Sequence, residues 1–109
     1  MHILIVDDEA IVRDSLSRYM RRGGHTIDLA SNCEEALALL NGDVAFDAVI
    51  IDGLNGRWRE VAEAAKQKKI HEIVGHSGDQ QFHEEMLASG IESIVKGGEN
   101  AAELFRCLK

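Results

Sequence analysis

The strongest constraint in this chain is a rhythm. Short, unbroken aliphatic runs alternate with stretches whose apolar residues recur at helical spacing. Ile3-Leu4-Ile5-Val6 and Ala48-Val49-Ile50-Ile51 contain no polar residue, whereas a strand with one wet face would alternate apolar and polar side chains. Such runs suit strands buried on both faces, as in a parallel sheet covered by helices on each side. Each run also stops abruptly in acid, the first in Asp7-Asp8-Glu9 and the second in Asp52.

The intervening segments supply the helices. Val12, Leu16, Tyr19 and Met20 fall at i, i+4, i+7 and i+8, which predicts an amphipathic helix ended by Gly23-Gly24. Residues 25–30 predict a weaker strand. Ser31 and Glu34 read as a capping box opening a second helix, with Cys33, Ala36, Leu37 and Leu40 inward. After Gly53-Leu54-Asn55-Gly56 a third helix presents Trp58, Val61, Ala62 and Ala65 on one face. Residues 70–75 predict a short fourth strand. Residues 80–89 predict a helix with Phe82, Met86 and Leu87 inward and Gly90 as its stop. Residues 91–95 predict the fifth strand, and Ala101, Leu104, Phe105 and Leu108 a last helical stripe.

Five strand-helix units in series predict an α/β fold, (βα)5, with a doubly wound parallel five-stranded sheet and right-handed crossovers. A length of 109 residues fits one domain, 1–109, with no room for a second core. Twelve Lys and Arg against nineteen Asp and Glu leave a net charge of −7, which argues against nucleic acid as a partner. No apolar run approaches the roughly 18–20 residues that span a bilayer. The first residues lack the basic start of a signal peptide, so a cytoplasmic location is expected. Cys33 and Cys107 are too few and too distant for a disulfide framework. Both fall on apolar helix positions and read as buried free thiols in a reducing compartment.

In sheets of this kind, ligands bind beyond the carboxyl ends of the strands. Asp7, Asp8 and Asp52 would meet there if strands one and three are neighbours. Packed carboxylates repel one another, so such a cluster calls for a cation. Hard oxygen donors without His or Cys favour Mg²⁺. Ser77 after strand four offers a hydroxyl, and Lys96 after strand five a compact positive charge. Metal, carboxylate nucleophile, point charge and donor together suit phosphoryl transfer through an aspartyl phosphate. Plainer roles remain open. Glu9 fits a helix N-terminus facing the dipole, Asp52 fits a turn before Gly53, and Ser77-Gly78-Asp79 fits a helix cap. The histidines at 2, 25, 71, 76 and 83 lack metal-ligand spacing; His76 alone is expected near the site. Trp58 reads as core.

Taken together, the run Ile3-Leu4-Ile5-Val6-Asp7-Asp8-Glu9, the Ile50-Ile51-Asp52 ending and the late Lys96 resemble the receiver domain of bacterial response regulators. The resemblance covers essentially the whole chain. It implies a flavodoxin-like strand order 2-1-3-4-5 and a phosphoacceptor at Asp52. It implies Mg²⁺ held by Asp7, Asp8, Asp52 and the backbone carbonyl of Leu54. Ser77 would be the switch hydroxyl and Lys96 the phosphate-contacting lysine. The implied phosphoryl donor is a sensor histidine kinase or a histidine phosphotransfer domain, and the implied output is a downstream protein target. The resemblance implies no direct contact with nucleic acid or membrane, and a monomer or weak dimer. Arg13, Arg18, Arg21 and Arg22 give helix one a basic side that in this family takes part in kinase docking.

Departures from the family pattern are equally informative. The chain has no proline, although receivers carry one beside the acceptor and another after the lysine. Here Gly53 to Gly56 leads almost directly into helix three, about four residues short of the usual loop. Gly97-Gly98 follows Lys96, and Ser93 stands where an aromatic switch residue is expected. Switching is therefore expected to centre on the loop after strand four and on helix four. A rival reading is a pseudo-receiver, an interaction module independent of phosphorylation. A small phosphatase would need a second acid beside the nucleophile, and Gly53-Leu54 supplies none.

Overall fold

The aliphatic runs become strands covered on both faces in a computed structural model that describes residues 1–70 and 72–95. In chain order the elements are β1 (His2–Val6), α1 (Ala10–Arg22), β2 (Thr26–Ala30), α2 (Cys33–Leu40) and β3 (Ala48–Ile51). A single 3-10 turn (Leu54–Gly56) leads to α3 (Trp58–Gln67), β4 (Glu72–Ser77), α4 (Gln80–Ala88) and β5 (Glu92–Val95). The strands form one sheet in the order β2-β1-β3-β4-β5, and all neighbours pair in parallel. This is the expected doubly wound architecture. Lys96, Gly97-Gly98, Cys107, His71 and the stripe expected over 101–108 lie outside the described residues.

Alternation along each strand splits the core into two layers. Ile3, Ile5, Ala48, Ile50 and Val74 pack with Leu16 and Met20 of α1. Leu4, Val6, Val49 and Ile51 pack on the other side with α2, α3 and α4 through Ala36, Leu40, Trp58, Val61 and Met86. Ile3, Leu4 and Ile5 are fully inaccessible, each contributing about 1.5–3 kcal/mol relative to exposure. The four inward residues expected of α3 are all buried.

Several local expectations need correction. Tyr19 and Leu87 are exposed, because a helix lying on a sheet buries a narrower stripe than periodicity suggests, and both sit at its margin. The cap of α2 is Asn32, whose side-chain oxygen accepts the Glu35 amide at 2.8 Å. Ser31 instead donates through its amide and hydroxyl to the Glu35 carboxylate, each at 2.6 Å. The capping device is therefore built one residue later than Ser31 and Glu34. β4 continues two residues beyond position 75, because pairing with β5 persists through Ser77 opposite Val95. Arg13 leaves the basic side of α1, its guanidinium donating to the Asp7 carbonyl at 2.6 Å.

Candidate functional site

The site begins with strand register. Val6 pairs with Ile51 across β1 and β3, and the Asp52 amide continues the ladder by donating to the Val6 carbonyl at 2.8 Å. On the other edge of β1 the Asp7 amide donates to the Ala30 carbonyl at 3.1 Å. Asp7 and Asp52 thus leave the sheet side by side. One carboxylate oxygen from each of Asp7, Asp8 and Asp52 lies within 4.8 Å of the others. Asp7 and Asp52 are buried and Asp8 is exposed. Ionised carboxylates this close repel by roughly 3 kcal/mol per pair at an effective dielectric of about 20. Arg13 brings one positive group to the edge of the cluster, and Asp7 Oδ1 accepts the Glu9 amide at 2.9 Å.

An open cleft of about 220 Å³ is lined by two of these acids, Asp8 and Asp52, and among others by Gly53, Asn55, Ser77 and Phe82. Ser77 is buried at the strand end, and its hydroxyl oxygen accepts the Asp79 amide at 3.1 Å. Asp79 caps α4 by accepting the Gln81 amide at 2.8 Å. The segment thus does both things the sequence left open: Asp79 caps while Ser77 borders the cleft. His76 does not line the cleft; alternation along β4 turns it to the sheet face opposite Ser77. Lys96 lies outside the described residues.

The link from Asp52 to α3 is a left-handed turn. Leu54, Asn55 and Gly56 have φ of 51°, 54° and 94°. Glycine and asparagine visit this region readily, but leucine there costs about 1–2 kcal/mol. Three interactions hold it. The Leu54 amide donates to Asp52 Oδ2 at 3.2 Å, the Leu54 carbonyl accepts the Arg57 amide at 3.0 Å, and the Leu54 side chain is buried. The carbonyl expected to face a metal therefore already carries one hydrogen bond and retains its second lone pair. Asn55 and Gly56 signal a turn in the sequence; nothing there marks Leu54 as left-handed.

Beside the turn, Arg57 ties α2 to α3. It pairs with Glu34 and with Glu60, the latter at 3.2 Å, and Glu60 accepts the Cys33 thiol at 3.4 Å. Hydrogen bonding to Arg57 holds the carboxyls of Glu34 and Glu60 below their usual range. Burial, reinforced by Glu60, pushes the Cys33 thiol up, which fits an inert buried thiol. Trp58 is buried with the Arg59 guanidinium 4.5 Å from its ring centroid. Its amide lies 3.4 Å from the Gly53 carbonyl. Phe82, expected only as core, proves to border the cleft as well.

A parallel 2-1-3-4-5 sheet with paired acids beyond β1 and β3 defines the CheY-like class of folds. No protein-family model matches the chain. Response regulator TrrA of Thermotoga maritima, solved in complex with Mg²⁺ and BeF, is 30% identical with a TM-score of 0.76, covering 98% of both chains. A cyclic di-GMP phosphodiesterase of the same organism is 30% identical over 97% of this chain, and response regulator MprA of Mycolicibacterium vanbaalenii is 42% identical over 48% of it. The chain spans only 29% and 22% of the lengths of those two relatives. The chain belongs to the response regulator receiver family of two-component systems.

Proposed function

We propose that this chain accepts a phosphoryl group on Asp52 from a phosphohistidine of a sensor histidine kinase or phosphotransfer domain. The observation that carries the reading is the convergence of Asp7, Asp8 and Asp52 within 4.8 Å at the carboxyl ends of neighbouring strands. An Asp52 oxygen forms the new P–O bond as the P–N bond breaks and the imidazole leaves with the electron pair. The β3 ladder and the Leu54 amide fix that carboxylate, so positioning is supplied before the donor arrives. Ser77 and Lys96 are the residues proposed to contact the phosphoryl oxygens.

The donor set suits a hard divalent cation: closely spaced carboxylates, one exposed to the cleft, with no His or Cys among them. Asp7, Asp8, Asp52 and the Leu54 carbonyl would hold Mg²⁺. Bound there, Mg²⁺ offsets the charge of the carboxylates and of the incoming phosphoryl oxygens. Arg18, Arg21 and Arg22, exposed on α1, are proposed to face the kinase. The chain is proposed to act in the cytoplasm as one receiver domain on a protein target, without direct contact with nucleic acid or membrane. No described helix is long and apolar enough to cross a membrane.

The test is incubation of the full chain with Mg²⁺ and acetyl phosphate, read by intact mass. A phosphoryl adduct should form and should vanish in Asp52→Asn. Absence of an adduct in the unmodified chain, with Trp58 emission indifferent to Mg²⁺, would overturn the proposal in favour of a phosphorylation-independent interaction module.

A further inference from the structure

Helix α4 lies on the sheet with almost no clearance at two glycines. A Cβ on Gly53 would stand 2.3 Å from the Phe82 ring, and one on Gly75 would stand 2.1 Å from the Met86 sulfur. Phe82 and Met86 are one helical turn apart and share a face. Gly53 directly follows Asp52, and Gly75 pairs with Ile51, the residue before it. Both contacts therefore bear on the backbone that carries the acceptor.

The next residue of α4 reaches across to β5. His83 Nδ1 lies 2.9 Å from the hydroxyl oxygen of Ser93, which also sits 3.7 Å from the Met86 sulfur. Ser93 is only 9% exposed and His83 half-buried, so this hydrogen bond joins the helix to a buried hydroxyl on β5. One turn of α4 thus touches the residue beside Asp52, the neighbouring strand and the strand beyond it.

We infer that Phe82 is a positioning residue through which α4 follows the acceptor turn, with the His83–Ser93 hydrogen bond reporting its position at β5. Gly53 faces the Phe82 ring and its Cβ, close to the helix backbone, and close-packed contacts transmit strain. The hydrogen bond is the sensitive partner. Lengthening it by well under 1 Å takes it outside the useful range. Phe82 also lines the cleft beside Asp52, so its ring borders the space a phosphoryl group would enter. The attribution of turn movement to chemistry at Asp52 rests on the proposed function; the steric linkage does not.

The test is NMR of the His83 imidazole in the full chain, assigned by its disappearance in His83→Gln, with far-UV circular dichroism as the check on folding. Gly53→Ala should shift the His83 signals, and adding Phe82→Ala to it should return them toward their original positions. Phe82→Tyr alone should leave them in place. With Mg²⁺ and acetyl phosphate, the unmodified chain should show the same signals moving, and in whatever fraction of Phe82→Ala carries the mass adduct they should stay in place. A folded Gly53→Ala whose His83 signals stay put would overturn the inference. If Gly53→Ala fails to fold, movement that persists in phosphorylated Phe82→Ala would overturn it. Lack of an adduct in the unmodified chain would overturn the acceptor reading alone, because the two glycine-ring variants judge the linkage without phosphorylation.

Discussion

The amide of Asp52 donates to the carbonyl of Val6 at 2.8 Å, so the strand end that carries the proposed acceptor is anchored by the same ladder that builds the sheet. The acid cluster is in consequence a property of the strand pairing, not of a loop that must find its place. Two of its members are buried at strand ends, and the third, Asp8, is exposed and faces the cleft.

That asymmetry gives Asp8→Asn opposite effects in two measurements. Without metal the substitution removes one repelling charge from an exposed position, so stability in urea with a chelator present should hold or rise by up to about 1 kcal/mol. Mg²⁺ binding, followed through Trp58 emission, should weaken at least about tenfold. A fall in stability with Mg²⁺ binding unchanged would show that the acid serves structure instead of a cation.

The left-handed turn makes a second prediction. Leu54→Ile keeps the volume, but a β-branched side chain is a poor occupant of positive φ. Volume-conserving core exchanges ordinarily cost less than about 1.5 kcal/mol; this one should cost about 2 kcal/mol or more in urea unfolding. Leu40→Ile, at a buried position of α2, should stay below that limit and serves as the control.

Stability should fall with acid in two stages. Burial, aided by the Met1 ammonium, lowers the pKa of His25 from 6.5, so below that value the unfolded chain binds protons more readily and stability declines. The carboxyls of Glu34 and Glu60, hydrogen-bonded to Arg57, and of Glu35, hydrogen-bonded to Ser31, are held below 4.5. Their contribution is complete above about 4.5 and is lost as pH falls toward the lower folded values. Urea midpoints at stepped pH should show both declines. Arg57→Ala should flatten the Glu34 and Glu60 share of the second, and Ser31→Ala the Glu35 share. Exposure keeps each step small.

The positions of β1 and β3, the inward face of α3 and the meeting of Asp7, Asp8 and Asp52 were legible in the sequence because each rests on strong periodicity or on a strand terminus. The cap of α2 was not, since Ser31 with Glu34 and Asn32 with Glu35 fit the same spacing and only the backbone chooses between them. The margins of helix stripes misled at Tyr19 and Leu87, where a few degrees of rotation decide between core and water. The positive φ of Leu54 and the seating of Phe82 on Gly53 depend on contacts between distant segments. Local pattern carries no trace of either.

The parallel register also dictates where the chain tolerates a change in length. One residue inserted within β3 would carry Asp52 about 3.3 Å along the strand and turn the following side chains to the opposite face. The same residue added among Gly42, Asp43 and Val44, exposed before β3, would be absorbed without moving the acids. Insertions and deletions between this chain and its relatives should therefore fall outside the strand-to-acid segments, as the short loop after Asp52 already does, leaving the spacing from strand to acid intact.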